Sequence, residues 1–356
     1  MRRFVGLIVN KNRENKGKAI TPVASKYRLI DFPLSNMVNA GAKNIGVILD
    51  NNSRAISDHL GSGKDWGLER NANGLYFLET DHMTLKNYDA SNDLRDLLKN
   101  IDFLLNIKEE YVLISGCNFV ANIDYQKIFR EMCNENCDIL LFYKKNKYEL
   151  HDVNEINIDN NGNFQGIEYI KEVKIPENLF MESFFIKKDV LIGLLRTANR
   201  SGILCMNELL GKIKEEINIS LYEYQDISFY IDGPKRYFEA NMAFLNQETW
   251  TNIFNNGLRQ IFTQNSDYPP TIYGEDSVVS NSLLTSGDQI DGKVKNSVIF
   301  RNVKIQKNAV VENCIIGDNS IVEEGVHLKN IILEADCRIS KDTTLISSPE
   351  NPMVIS

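Results

Sequence analysis

Four cations near the start of the chain, Lys16, Lys18, Lys26 and Arg28, are the side chains best suited to chemistry there. Their charge suits an anion such as phosphate or a sugar phosphate. Arg28 is the strongest of the four, because a guanidinium offers a planar, bidentate fork to phosphate oxygens. The plainer reading is a solvated basic face in which Arg28 pairs with Asp31. The loop leading to these residues is poor in what a triphosphate needs. An apolar strand, Phe4–Val9, runs into Asn10-Lys11-Asn12-Arg13-Glu14-Asn15-Lys16 without a glycine. A loop that wraps phosphates turns its backbone N–H groups inward and leaves no room for Cβ atoms, so it uses glycines. Gly17 alone cannot supply that.

The elements that would position such residues follow from hydrophobic patterning. Strand-like runs at Phe4–Val9, Asn44–Leu49, Glu110–Ser115 and Asp138–Tyr143 alternate with helical patterns at Asp31–Ala40, Arg54–Leu60, Asn92–Asn106 and Ile128–Asn134. This rhythm predicts an α/β domain with a mostly parallel sheet covered on both faces. Ligands of such sheets lie beyond the carboxyl ends of the strands. Those ends are the Asn10–Lys18 loop and the segment Ser115–Asp124. Lys235–Phe254 reads as a helix leading out of the domain, and Gln260–Pro270 as a linker ending in two prolines.

Past Pro270 the pattern changes. Aliphatic residues recur every six positions: Ile299, Ile305, Val311; Ile316, Val322, Leu328; Leu333, Ile339, Leu345. Related segments begin at Val294, Val311 and Leu328, 17 residues apart. Small or short side chains (Val303, Ala309, Ser320, Val326, Cys337, Thr343) follow many anchors by four residues. Three six-residue faces per turn, each giving one aliphatic side chain to a central stack, describe a triangular parallel β-helix. An irregular sandwich would not keep this register. The expected organisation is an α/β domain over residues 1–255, a linker over 256–270 and a β-helix over 271–356.

Bulk properties narrow the function. The chain has 356 residues, enough for two domains with their own cores. A formal net charge of -8 argues against nucleic acid or an anionic membrane as the main partner. The two arginines and short strand after Met1 fit neither a signal peptide nor a membrane span. Six cysteines (117, 133, 137, 205, 314, 337) are scattered, as in a reduced, cytoplasmic protein. Cys133 and Cys137 share helical spacing but lack the nearby histidine or second cysteine pair of a zinc site. Trp66, Tyr76 and Phe77 flank the Gly67–Gly74 stretch and suit core packing, sugar stacking or a subunit contact.

Three ordered motifs carry a resemblance. Lys26-Tyr27-Arg28-Leu29-Ile30-Asp31-Phe32-Pro33-Leu34-Ser35-Asn36, His59-Leu60-Gly61-Ser62-Gly63-Lys64-Asp65-Trp66 and Tyr237-Phe238-Glu239-Ala240-Asn241-Met242 stand in sequence, followed by the hexapeptide register. Together they resemble the glucose-1-phosphate adenylyltransferase (ADP-glucose pyrophosphorylase) family over nearly the whole chain. The resemblance implies a Rossmann-like nucleotidyltransferase domain followed by a left-handed β-helix. It also implies that residues matching Lys16 and Arg28 bind sugar-phosphate effectors, with Lys18 near nucleotide phosphates.

Departures from the family pattern all concern its active site. The family's glycine-rich G-G-x-G-x-R-L loop is missing. Its magnesium-binding S-G-D-H reads Ser115-Gly116-Cys117-Asn118 here, without a carboxylate. Neither a thiol nor a neutral amide replaces the hard anionic oxygen that Mg²⁺ selects. The family's sugar-phosphate lysine falls where this chain has Tyr169-Ile170-Lys171-Glu172-Val173. Asp232 matches a second metal aspartate and would be a residual ligand, or else would cap the helix that follows. Losing several positioning and charge terms at once leaves little or no catalysis.

The combination most resembles the non-catalytic D-type subunits of bacterial glycogen synthesis. The expected function is regulatory: a subunit that modulates a catalytic ADP-glucose pyrophosphorylase paralogue in a homo- or hetero-oligomer, with no cofactor of its own and Mg²⁺ required by the partner. The alternatives are an active nucleotidyltransferase with an atypical loop and a sugar-nucleotide sensor. A further class, acyl transfer at His327 as in hexapeptide-repeat acyltransferases, is disfavoured by the complete α/β domain, and the apolar neighbours Val326 and Leu328 turn His327 outward.

Overall fold

The computed structural model describes residues 3–9, 19–49, 53–69, 74–80, 94–265 and 267–356. Strand β1 (Phe4–Val9) is apolar and buried along almost its whole length, as befits the centre of a sheet covered on both faces. A short hairpin, β2 (Pro22–Val23) and β3 (Tyr27–Arg28), precedes helix α1 (Asp31–Asn39). Strand β4 (Ile45–Leu49), helix α2 (Ser53–Leu60) and strand β5 (Leu75–Glu79) continue the alternation.

The helix expected over Asn92–Asn106 is two helices, α3 (Arg95–Lys99) and α4 (Ile101–Asn106), with residues 92 and 93 outside the described chain. Asn100 breaks it. Its amide donates to the carbonyls of Asp96 and Glu79, both at 2.7 Å, the side-chain competition that makes asparagine a poor interior helix residue.

Strand β6 (Tyr111–Ser115) is buried throughout. A short strand β7 (Phe119–Ala121) and helix α5 (Tyr125–Glu135) follow it. The helix stops at Asn136, which takes a left-handed φ of 51°, so Cys137 is off the helix that carries Cys133. All six cysteines are free thiols. Next come β8 (Ile139–Lys145), the hairpin β9 (Val153–Ile158) and β10 (Phe164–Ile170), the long strand β11 (Asn178–Lys187), helices α6 (Lys188–Ser201) and α7 (Met206–Ile213), and β12 (Ile219–Glu223).

Apart from the β2–β3 hairpin and β7, these strands make one sheet. β1 lies between β4 and β6 and runs parallel to both, with β5 parallel outside β4. Beyond β6 the order turns antiparallel, β11 pairing with β6, β8 and β9. Val5, Leu7, Val112, Ile114, Phe184 and Ile186 pack with the leucines of α6 and α7 to form the core.

The chain divides into two compact units that are not contiguous in sequence. One comprises 1–14, 33–117 and 123–226; the other comprises 15–32, 118–122 and 227–356. In the second unit, β13 (Ser228–Tyr230) pairs antiparallel with β7. Helices α8 (Pro234–Ala243) and α9 (Gln247–Phe254) follow. The single helix expected over Lys235–Phe254 is thus interrupted. Asn246 is the reason: its Oδ1 accepts the Thr249 N–H at 3.1 Å and starts a new helix.

From Ile272 onward this unit is a left-handed β-helix. Ile299, Ile316 and Leu333 stack in register on one face; Ile305, Val322 and Ile339 on the second; Val311, Leu328 and Leu345 on the third. Most of these anchors are fully buried, together with the small partners Val303, Ala309, Ser320 and Val326. Asn281, Asn296, Asn313 and Asn330 take positive φ where one face turns into the next, a conformation asparagine tolerates. His327 is half-buried between the buried Val326 and Leu328, as alternation requires.

Candidate functional site

In the first unit, chain order makes one place special. From β1 the chain proceeds to β4 and β5 on one side, then returns to β6 on the other. The carboxyl ends of β1 and β6 therefore flank the topological switch point, where open α/β sheets bind ligands. Residues 10–18, which follow β1, lie outside the described chain, and Lys16 and Lys18 with them. At the end of β6, Ser115 Oγ lies 2.8 Å from Ser183 Oγ and 3.2 Å from Tyr125 Oη. Tyr125 is fully buried, and burial pushes its phenol pKa up, against the pull of the two serine hydrogen bonds. The network is neutral at physiological pH. Cys117 follows as a buried thiol. Gly116 donates its N–H to the Glu182 carbonyl at 2.9 Å. Lys171, Glu172 and Val173 are exposed just past the end of β10.

The three aromatics weighed for sugar stacking, core packing or a subunit contact divide. Trp66 is buried and donates its Nε1–H to Ser35 Oγ at 3.3 Å, a core role. Tyr76 and Phe77 stay partly exposed on β5.

In the second unit the basic cluster is built around Arg28, at the end of β3. Its backbone N–H donates to Asp31 Oδ2 at 2.8 Å, but its guanidinium does not take Asp31 as the sequence suggested. Nη2 instead pairs with Asp318 Oδ2 at 2.7 Å, both side chains being largely buried. Asp318 Oδ1 also accepts the backbone N–H of Arg301 at 2.9 Å. The Arg301 guanidinium donates to the carbonyls of Lys26 and Gln264, and its Nε is buried with no hydrogen-bond partner among the described residues. Burial and then the Arg28 charge lower the Arg301 pKa. Lys26 is exposed overall, yet burial around its ammonium and then Arg301 lower its pKa too. Arg28 and Arg301 are two cations beside one carboxylate, with the Lys26 ammonium near Arg301, an arrangement that can receive an anion where Asp318 now sits.

Sequence reasoning missed Arg301 and Asp318. A signal existed: they are 17 residues apart, one coil of the β-helix, at equivalent repeat positions.

Asp232 follows β13, and the N-cap of α8 is Gly233, with no side-chain cap. Among the described residues no group of three His, Cys, Asp or Glu side chains is placed to hold a metal ion.

Comparison with known proteins adds independent findings. A nucleotidyl transferase family model matches residues 14–152, and a GlmU-like C-terminal hexapeptide model matches residues 270–351. The glycogen biosynthesis protein GlgD of Bacillus subtilis (strain 168) is 31% identical, covering 94% of this chain and 88% of that protein. The chain belongs to the glucose-1-phosphate adenylyltransferase family. GlgD of Geobacillus stearothermophilus is 28% identical over 83% of this chain and 77% of its own length. The glucose-1-phosphate adenylyltransferase of Mycoplasma mobile is 28% identical over 84% of this chain and 80% of its own.

The family motifs have visible structural work here. Ala24 and Ser25 adopt positive φ in the β2–β3 turn, a strained conformation for both. Asn241, from the motif on α8, holds that turn by accepting the buried Ala24 N–H at 2.9 Å while donating to the Tyr237 carbonyl at 2.9 Å. Tyr27 stacks on Phe254 of α9 at 4.7 Å. The motifs around Arg28 and on α8 thus meet as scaffold.

Proposed function

We propose that this chain is a non-catalytic regulatory subunit of ADP-glucose synthesis in glycogen formation, acting on a catalytic paralogue. The observation that carries the reading is the end of β6, where the buried thiol of Cys117 stands at the position that matches the metal-binding aspartate of the resembled motif. Nucleotidyl transfer is positioning plus neutralisation of charge on phosphate oxygens, largely by metal. The glycine-free Asn10–Lys16 stretch and the GlgD relatives support the same reading.

Regulation is a coupling free energy between subunits. Lys26, Arg28 and Arg301, joined in sequence by Lys16 and Lys18, are the proposed effector site for phosphate or a sugar phosphate. Mg²⁺ belongs to the partner's chemistry. The test is to assay ADP-glucose formation from ATP and glucose 1-phosphate with Mg²⁺, using this chain alone, a catalytic paralogue alone and the two together. The expected result is no turnover by this chain and an altered effector response in the mixture. Turnover by the chain alone within the usual enzyme range of ~1–10³ s⁻¹ overturns it.

A further inference from the structure

Glu182 is out of place. It has a φ of +54°, a region long side chains avoid. Apart from Ala24 and Ser25, every other described non-glycine residue with positive φ is Asn or Asp, types that tolerate it. Strain of this kind persists where the surroundings over-determine it, and it concentrates at functional sites.

Its surroundings are specific. Ser183 pairs with Ser115, so Glu182 falls opposite Gly116, one step beyond the end of β6. The β11–β8 register breaks between Phe180 and Phe184, around the same residue. A Cβ on Gly116 would stand 2.8 Å from Glu182 Oε2 and 3.2 Å from Glu182 Cβ. The glutamate side chain therefore lies over the Gly116 Cα, in space that only a glycine leaves open. A strained backbone and a glycine together hold one carboxylate at the carboxyl end of β6. That end borders the switch point, where an open α/β sheet receives its ligand.

We propose that Glu182 excludes phosphorylated ligands, nucleotides and sugar phosphates alike, from this crevice. It acts by volume: the side chain fills the space above Gly116 that a ligand atom would need. The proposal deepens the non-catalytic reading and rests on it: the site is closed to its ancestral ligand class, beyond lacking groups for catalysis.

The test uses the full chain and three forms: wild type, Glu182→Gly and Glu182→Gln. ADP-glucose and ATP are titrated into each by calorimetry at matched ionic strength, with a thermal melt of each form alongside. Glycine adopts a positive φ without strain, so Glu182→Gly is expected to fold, and Glu182→Gln keeps the bulk while removing the charge. Wild type is expected to bind weakly or not at all. Glu182→Gly is expected to bind at least one of the two ligands roughly tenfold or more tightly, with Glu182→Gln, which keeps the bulk, close to wild type. Equal affinity of all three forms for both ligands overturns the proposal, whether that affinity is high or undetectable. The outcome is separable from the reading beneath it. Turnover by wild type strikes at the non-catalytic function, whereas an inert wild type with an equally unreceptive Glu182→Gly strikes at Glu182 alone.

Discussion

Replacing Asp318 by asparagine tests whether the cluster around Arg28 is an anion site held shut from within. The Asp318→Asn variant keeps an oxygen for the Arg301 N–H and removes the charge that meets Arg28 at 2.7 Å. Two unit charges ~4 Å apart at an effective dielectric of ~20 attract by about 4 kcal/mol. Desolvation of both ions offsets part of that, so the pair itself is worth less. Removing only the carboxylate leaves Arg28 and Arg301 as neighbouring, largely buried cations. The expected loss is about 2–3 kcal/mol at low ionic strength, near the low end for breaking a buried pair.

Phosphate should recover that loss. An anion between the two guanidiniums replaces Asp318, and a ligand at one hundred times its Kd stabilises by about 2.7 kcal/mol. In wild type the carboxylate competes for Arg28, so phosphate should stabilise less. The measurement is urea denaturation of both forms with phosphate or with chloride at equal ionic strength. A variant as stable as wild type in chloride would refute the assigned pair. Equal stabilisation of both forms by phosphate would refute the idea that Asp318 occupies the anion's place.

Further expectations concern pH and packing. Asp288 is 1% exposed, and burial, reinforced by Asp318, pushes its carboxyl pKa up to about 7 although the Val303 and Thr285 N–H groups pull it down. A folded pKa above the unfolded value means stability present at low pH and lost as pH rises from ~4 through ~7, by at most about 4 kcal/mol. The stability of Asp288→Asn relative to wild type should therefore climb across that window in denaturation curves, and a pH-independent difference would dispose of the assignment. Asn241→Ala strands the buried Ala24 N–H and should cost about 2–3 kcal/mol, with Asn241→Asp, which keeps an acceptor, costing less in the same assay. Gly317→Ala puts a Cβ 2.6 Å from the backbone of the next coil and should cost about 3 kcal/mol, whereas exposed Gly211→Ala on α7 meets nothing and should gain about 0.5–1 kcal/mol. If both glycine variants melt alike, the close approach of coils at Gly317 is not what sets its residue type.

What was legible in the sequence depends on the distance over which its cause acts. The β-helix register was legible because every anchor answers to a neighbour one coil away, and Ile299, Ile316 and Leu333 repeat that cause three times. Strand β1 was legible because burial on both faces demands an unbroken apolar run. The breaks at Asn100 and Asn246 were less so, since one amide hydrogen bonding to nearby backbone outweighs a leucine pattern that continues past it. The site was legible least. Arg28 has Asp31 three residues on, and local reasoning pairs them, but the guanidinium reaches Asp318, 290 residues away. The reason is geometric: Asp31 is already committed to the Arg28 N–H at the start of α1, which leaves the guanidinium to the β-helix coil packed beside it. Glu182 left no trace in the sequence either, because a positive φ in mid-strand has no residue signature unless it is glycine or asparagine. These two cases make the same point about this chain. In each a carboxylate is held against a partner far away in sequence, Asp318 on Arg28 and Glu182 over Gly116, and a contact of that span leaves no local pattern to read.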